Sequence, residues 1–551
     1  MNSYAIGVDF GTLSARAVLI DGRTGEALAI STMDYPHGVM EDALPCGVKL
    51  GKNWALQHPS DYLEAFITTV RGVMKKSKAD PCQIVGIGID FTSCTILPVK
   101  KDGTPLCLLP DFEKEPHAYV KLWKHHSAQY CADLLNRVAE ERQEPWLNFY
   151  GGKISCEWLV PKVLQIVKEA PQIYEQADTI IEAGDWLVWQ ICGEQKRSAC
   201  NAGYKALWNE ETGYPAEAFF EALDPRMKYF TAEKLSGPVC PLGERAGYLT
   251  REMAEKTGLN TDTAVGIGII DAHASVPGTG VGEAGKMLMI MGTSTCHMIL
   301  DKEKKSVPGI CGVVKDGILP GYYAYEAGQS CVGDHFSWLV HHFVPGKYFE
   351  AAKKRGLDIH TYLREKAQVL RPGESGLLAL DWWNGVRSPL MDFDLKGLII
   401  GMDLTTRAED IYRALIEATA YGTRKIIESF EQAGIPVMEL YAAGGIAAKD
   451  PMTMQIYADV CNREIKIAAS DQSGALGSAV LGLMAAGSQR SGYSNVSEAV
   501  AAIGKISAVS YQPVEANVKI YDRLYGIYCR LYDIFGTAHR DIMRELKDIQ
   551  N

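Results

Sequence analysis

Gly7-Val8-Asp9-Phe10-Gly11-Thr12-Leu13-Ser14-Ala15-Arg16 stands almost at the start of the chain, and its reading decides how the rest is organised. Tyr4 to Asp9 is apolar up to its last residue and predicts a buried strand. Ala15 to Ile20 predicts the hairpin partner. Between them lie a glycine and two hydroxyl side chains, with an arginine just beyond. A tight turn with open backbone N–H groups, small hydroxyls and a cation suits a phosphate chain, whose oxygens need many donors at close range. An ordinary polar hairpin has nearly the same letters, so the stretch gains meaning only from what accompanies it elsewhere.

Composition narrows the classes. The chain has 551 residues, 47% hydrophobic and 22% charged, which is ordinary globular usage with room for several cores. Net charge is −11, and basic clusters are short, as in Lys302 to Lys305, so nucleic acid is not an expected partner. The 14 cysteines form no C-x-x-C pair, which predicts reduced thiols and neither a disulfide framework nor a zinc site. No apolar run approaches the roughly 18 residues of a membrane span. A strand begins by Tyr4 and carries Asp9, which speaks against a signal peptide. The expectation is a cytoplasmic protein without a membrane partner. A homo-oligomer such as a dimer is left open.

Three strand-like runs, Tyr4–Asp9, Ala15–Asp21 and Ala27–Met33, are punctuated by Asp21-Gly22 and Thr24-Gly25. Ser60 to Lys76 predicts a helix capped by Ser60, with Tyr62, Phe66, Val70 and Val73 on one face. A buried strand, Ile84–Asp90, follows. Strand, strand, strand, helix, strand is the opening of a ribonuclease-H-like α/β domain. From about 116 to 250 the pattern turns helical and rich in tryptophan, an insertion of the kind that shapes sites, although most of those rings are expected to fill core.

The opening pattern then recurs. Val265 to Asp271 predicts a strand ending in an acid, and Lys286 to Leu300 reads as strand, Gly292-Thr293-Ser294-Thr295 turn, strand. The strand-like Gly376–Asp381, a long helix Asp410–Ala433 ended by Gly434, and a strand running into Gly444-Gly445 follow. A helix from Pro451, a small-residue helix starting at Ala475 and a helical tail from about 516 to 547 complete the chain. The order suggests a duplicated domain, divided as 1–273 and 274–551.

Two hydroxyl-bearing hairpin turns, one opening each half, could clamp a phosphate chain from opposite sides. Gly444-Gly445 would let a base and ribose approach the backbone. Asp9, at a strand end, suits a phosphate-bound Mg²⁺. Asp271 suits a proton acceptor for an attacking hydroxyl, or else a helix cap. Asp271-Ala272-His273 hints weakly at metal ligation, with no other ligand at suitable spacing.

Taken in order, Asp9-Phe10-Gly11-Thr12 with Arg16, Asp271, Gly292-Thr293-Ser294, Gly397 to Glu417, Gly444-Gly445 with Lys449 and Gln455, and Ala475-Leu476-Gly477 resemble the FGGY carbohydrate kinases of the sugar kinase/actin/heat-shock-70 superfamily. The resemblance covers nearly the whole chain. It implies an α/β protein of two duplicated ribonuclease-H-like, actin-like ATPase domains, with a catalytic cleft between them that closes on substrate. It also implies ATP- and Mg²⁺-dependent phosphoryl transfer to a sugar hydroxyl.

Within the family the likeness is to kinases of ketopentoses, carried by Val85 to Ser93, Met289 to His297, Pro308 to Val314, Tyr325 to Ser330 and Ala379 to Gly385. Phe91-Thr92-Ser93-Cys94 departs from the Arg-Glu pair of glycerol kinases and from the Gln-Met-His-type segment of xylulokinases. By the resemblance Asp271 is the general base and, with Asp9, a metal-holding residue. Gly11, Thr12, Arg16, Gly292, Thr293, Ser294, Gly444, Gly445 and Lys449 border the nucleotide. Ser93, Lys205, Glu326 and Asp271 read the ketopentose. A non-enzymatic nucleotide switch or filament protein of the same superfamily is the rival from another class, disfavoured by the tryptophan-rich insertion.

Overall fold

The computed structural model describes residues 3–470 and 472–550. Tyr4–Phe10 and Ser14–Asp21 form the expected hairpin with Asp9 opposite Arg16, and Ala27–Asp34 extends it. Ile84–Phe91, buried at every residue, adds in parallel on the other side of the first strand. A central strand covered on both faces needs the unbroken apolar run this segment has. Ala264–Gly266 follows in parallel, and Arg245–Tyr248 closes the edge antiparallel.

The second sheet repeats this order. Lys286–Met291 pairs antiparallel with Thr295–Asp301, which pairs antiparallel with Tyr323–Gln329. Glu439–Ala443 and Ile465–Ala468 run parallel on the other side, and Ile506–Tyr511 closes antiparallel. One further strand, Gly312–Lys315, lies beyond Tyr323–Gln329. The duplication is therefore one of topology, as the sequence pattern implies.

Several local expectations need correction. The helix after the first three strands is Pro59–Ser77; Pro59, which has no N–H to satisfy, takes its first turn, and His58 rather than Ser60 is the cap. The strand expected over Val265–Asp271 breaks into Ala264–Gly266 and Ile269–Ile270, because the Ile267 N–H turns aside to the Glu244 carbonyl at 3.1 Å. Asp271 then opens a helix, Asp271–Gly278. Gly376–Asp381 shrinks to Leu378–Leu380, paired with Leu398–Ile400 outside the main sheet. The tail is two helices, Glu515–Asp533 and Asp541–Gln550, separated by a wide turn at Ile534–Ala538. There Gly536 packs so closely that a Cβ would lie 2.6 Å from the Leu390 side chain.

The segment expected as an insertion over about 116–250 shares its core with earlier parts of the chain, from Met40 to Leu235. A small sheet ties it down, built from Leu56–Gln57, Val120–Lys121, Ile96–Val99 and Thr179–Glu182. Trp146, Trp158, Trp186 and Trp189 are buried, as composition suggests, whereas Trp123 is not. Among the described residues no helix is long and apolar enough to cross a membrane. All 14 cysteines are free.

The two halves are joined by the small-residue helix, Ser473–Ala486. It lies against the first sheet along Gly7, Gly86 and Gly88, where added Cβ atoms would fall 1.7, 2.0 and 1.7 Å from the carbonyl oxygens of Ala475, Gly482 and Ser478. Gly86 and Gly88 are two apart on one strand and so share a face, and Gly7 is the register partner of Gly88. The same helix crosses Asp271–Gly278 just as closely: a Cβ on Gly477 would meet the Ala274 carbonyl oxygen at 1.7 Å, and one on Gly278 the Ser473 oxygen at 1.9 Å. Bare backbone at these points sets the spacing between the halves.

Gly88→Ala is therefore expected to destabilise the fold by at least about 3 kcal/mol, at the upper end of overpacking costs. Gly526 sits mid-helix with nothing within 4 Å of its would-be Cβ. Gly526→Ala should stabilise by about 0.5–1 kcal/mol. Thermal melts of the two variants check the pair, and equal shifts would refute the account of the trough.

Candidate active site

Between the two sheets and the insertion lies a cavity of about 370 Å³, lined by Ser93, Trp123, Glu157, Lys205, Asp271, Thr293, Ser294, Glu326 and Arg387. Its walls come from every part of the chain. Ser93 follows the central strand Ile84–Phe91, Lys205 ends the helix Ala199–Lys205, and Glu326 lies mid-strand in Tyr323–Gln329. Cys94, at φ 56°, turns the chain sharply just past Ser93. The buried Lys162 ammonium fixes that turn by donating to the Cys94 carbonyl at 2.5 Å and the Leu122 carbonyl at 2.7 Å.

The cavity floor is a buried polar knot. Lys205 Nζ donates to Glu326 Oε2 at 3.0 Å, and His273 Nε2 lies 3.1 Å from the same oxygen. His273 Nδ1 is 3.1 Å from Cys200 Sγ. Burial holds His273 below its ordinary value, so the imidazole is neutral, donating to Glu326 from Nε2 and accepting the Cys200 thiol at Nδ1. Burial alone would raise Glu326, but the Lys205 charge and the His273 hydrogen bond hold it well below the usual carboxylate range. Lys205, desolvated but beside Glu326, stays well above its ordinary value. Both are charged. His273 is thereby accounted for without a metal.

Asp271 opens its helix with Oδ1 accepting the Ala272 N–H at 2.7 Å. The cap position belongs to Ile270, without a side-chain hydrogen bond, so the helix-cap reading of Asp271 does not hold. Its pKa is pushed up to about 7 by burial and by the Asp9 charge, against the Ala272 hydrogen bond and Lys205. A carboxyl poised near neutrality suits a general base.

Asp9 stands beside Asp90 in the parallel register. Asp90 is wholly buried, and desolvation followed by the neighbouring Asp9 raises it well above the carboxylate range. Its Oδ2 accepts the Ser478 hydroxyl at 2.6 Å, and its Oδ1 has no donor among the described residues. Asp90 therefore keeps its proton beside Asp9. Asp9 and Asp271 offer hard oxygen donors whose mutual repulsion a cation would relieve, and the pair fits Mg²⁺.

The two hydroxyl turns close alike at a leading glycine, the second being one residue tighter. Gly11 N–H bonds to the Ser14 carbonyl at 3.0 Å, and Gly292 N–H to the Ser294 carbonyl at 2.9 Å. Thr12 is fixed from two sides: its carbonyl accepts Gln57 Nε2 at 2.7 Å, and its hydroxyl accepts Trp123 Nε1 at 3.2 Å. Arg16 reaches the other half of the chain, donating to Gln472 Oε1 at 3.0 Å. Gly444, at φ 94°, packs so that a Cβ would lie 2.5 Å from the Met291 carbonyl oxygen, next to Gly292. Gly445 is open. Lys449 ends the short helix Gly445–Lys449; it is exposed, with its carbonyl accepting Arg364, and does not line the cavity.

The cavity brings together Ser93, Lys205, Asp271, Thr293, Ser294 and Glu326 from the expected set. Asp90, Glu157 and Arg387 were not foreseen. Among the described residues a separate group, His37, His58 and Asp61, could in principle bind metal. Its imidazoles stack with centroids 4.3 Å apart and 22° between planes, so their in-plane lone pairs run side by side and do not converge. His37 Nδ1 is also already on Asp61 Oδ1 at 2.6 Å. It is a hydrogen-bonded start to the helix Pro59–Ser77.

Comparison with known proteins agrees with this architecture. The N-terminal domain of the FGGY family of carbohydrate kinases matches residues 4–278, and its C-terminal domain residues 287–486. Ribulokinase of Bacillus licheniformis is 58% identical over 540 residues, 98% of each chain. Ribulokinase of Geobacillus thermodenitrificans is 53% identical over 545 residues, 99% of this chain and 96% of that one. Among solved structures, gluconate kinase from Lactobacillus acidophilus superposes with a TM-score of 0.79 at 17% identity, covering 98% of this chain and 100% of that one. A ligand-bound xylulose kinase from the same species gives 0.78 at 17%, with the same coverage. These two likenesses speak to the fold of both halves together. Two matched domains spanning the chain, and relatives alike over almost its full length, make it a member of the FGGY family of carbohydrate kinases and an ATP-dependent sugar phosphotransferase.

Proposed function

We propose that the chain phosphorylates L-ribulose, and with it related 2-ketopentoses, to L-ribulose 5-phosphate with Mg·ATP, as a cytoplasmic step in L-arabinose catabolism. The observation that carries the reading is Asp271. A carboxylate poised near neutrality faces a cavity whose floor is the Lys205–Glu326 pair and whose flank is the Thr293-Ser294 turn. The relatives named ribulokinase support the choice of sugar.

In this reading Asp271 accepts the proton of the sugar hydroxyl as that oxygen attacks the γ-phosphate in line. Lys205 donates to sugar oxygens while Glu326 and Ser93 accept from hydroxyls, so one site meets both polarities of a polyol. The turns at Gly11-Thr12 and Gly292-Thr293-Ser294 present N–H and hydroxyl donors to the phosphates, with Arg16 adding charge. Gly444 and Gly445 leave room for the nucleoside, and Lys449 stands at the outer edge of that region. Asp9 and Asp271 would hold Mg²⁺, which supplies neutralisation of phosphate charge when bound. Asp90, neutral behind Asp9, fixes its carboxylate without adding a third negative charge. Closure of the halves would keep water from accepting the phosphoryl group.

Asp271→Asn should retain sugar and ATP binding while kcat falls about 10²–10⁴-fold, the usual share of a general base; near-wild-type turnover would remove Asp271 from the role. Because the base must be ionised, kcat/KM is expected to fall as pH drops through about 7, tracking the raised Asp271 carboxyl. A profile flat between pH 5 and 8 would contradict that. The contacts of Glu326 and Lys205 with the sugar should not titrate across the same range, since both stay charged. ADP release measured across ketopentoses tests the substrate: L-ribulose should lead, and D-xylulose or D-ribulose preferred over it would point to another member of the family. ATP turnover indifferent to every sugar would instead indicate a nucleotide switch.

A further inference from the structure

Several buried cations in this protein are held by two or more acceptors or by a carboxylate. Arg413 donates to Glu417 at 2.8 Å, to the Ala367 carbonyl at 3.2 Å and to Tyr521 at 2.9 Å. Arg197 is held by the Ser236 and Ile180 carbonyls at 2.9 and 2.8 Å. Lys205 has Glu326, and Lys162 has two carbonyls. Half-buried Arg387 differs from these. It lines the sugar cavity, yet none of its five N–H groups has a hydrogen-bond acceptor among the described residues, and no carboxylate forms a close ion pair with it.

Its placement is nonetheless built. The chain around it is tied to the strand Tyr323–Gln329: Ser388 N–H donates to the Gly328 carbonyl at 3.0 Å, and the Gly328 N–H to Ser388 Oγ at 3.3 Å. Val386 and Asp392 exchange two backbone hydrogen bonds of 2.9 Å across the turn. Gly328 leaves the space the arginine stem fills, since a Cβ there would sit 2.9 Å from Arg387 Cδ and 3.2 Å from Nη1. The carboxylates whose charge reaches the guanidinium are Glu157, from the insertion, and Glu326. Glu157 is itself oriented by His126 Nε2 at 3.1 Å from Oε1. Glu326 lines the same cavity as Asp271 and Arg387, and its charge is felt by both.

We propose that Arg387 is a specificity-determining residue of the sugar site, its guanidinium forking onto two neighbouring oxygens of the substrate in the cavity it shares with Glu157 and Glu326. The inference rests on the ketopentose reading above. A planar fork of fixed donors in a confined cavity suits two adjacent oxygens, a pair of vicinal hydroxyls or a keto oxygen with its neighbour. Glu157 faces the same region and accepts from a hydroxyl there. A sugar lacking one of those oxygens leaves a charged donor without a partner, the situation in which a site rejects an analogue most strongly. Reach to a sugar hydroxyl thus comes from three cavity walls: Lys205 on the insertion, Asp271 at the helix start, and Arg387 from the second half.

The test is steady-state kinetics with L-ribulose and its monodeoxy analogues. Arg387→Lys keeps the charge and loses the fork. It should raise the sugar KM by about tenfold or more, leaving kcat within about threefold and the KM for Mg·ATP unchanged. In the wild type one deoxy analogue should lose about 10²-fold or more in kcat/KM, and the variant should shrink that penalty below about tenfold. Gly328→Ala, which displaces the stem and keeps the guanidinium, should raise the sugar KM in the same direction. The proposal is overturned by a wild type indifferent to every deoxy analogue, by an unchanged sugar KM in either variant, or by a fall in kcat with KM held. The last pattern would mark Arg387 as a latch for closure that pairs with Glu157. A wild type inactive on all ketopentoses would instead sink the substrate assignment, and the Arg387 comparison is then made on whichever sugar it phosphorylates.

Discussion

One buried ion pair, Lys205 with Glu326, crosses from the insertion to the second sheet, and the site is assembled around it. Taking two charges out of water is expensive, and attraction repays the cost only when geometry is good and the remaining hydrogen bonds are made. Here they are made, with His273 completing Glu326 and Cys200 completing His273. Removing either charge would leave the other buried alone, at a cost of about 3–5 kcal/mol. The pair therefore couples three things: the insertion that carries Lys205, the helix that begins with Asp271, and the strand that carries Glu326. Asp271 is held near neutrality by burial and the Asp9 charge, with Lys205 and Glu326 acting in opposite directions.

The glycine trough under Ser473–Ala486 is the counterpart on the far side of Asp271. Small residues let that helix sit on the first sheet and on Asp271–Gly278 at backbone contact. Ser478, on the same helix, reaches Asp90, and Gln472, just before it, reaches Arg16. The second half of the chain thus touches the acids and the phosphate-side arginine of the first half directly. Packing and electrostatics meet at one place, which is why the helix most free of functional groups still governs the site.

The frame was legible because its signals are periodic or repeated. The Asp9-to-Arg16 hairpin, its echo at Gly292-Thr293-Ser294, and the long amphipathic helices stand where the pattern predicts. What escaped has a physical explanation in each case. Asp90 reads as an ordinary strand end until Asp9 is seen beside it, since a proton retained against a neighbouring charge is a property of two strands in register. Arg387 lies in irregular chain between Trp382 and Lys396, where no period marks which side chain faces a cavity. Two-residue strands such as Leu56–Gln57 are too short to carry alternation. The break at Ile267 depends on one hydrogen bond to Glu244.

The central claim is that sugar and nucleotide meet at Asp271, between two hydroxyl-bearing turns. A crystal structure with L-ribulose, Mg²⁺ and a non-hydrolysable ATP analogue tests it most directly. The account predicts the terminal hydroxyl of the sugar within hydrogen-bond reach of Asp271, and the γ-phosphate between Gly11-Thr12 and Gly292-Thr293-Ser294. A sugar bound away from Asp271, or phosphates that bypass either turn, would contradict it.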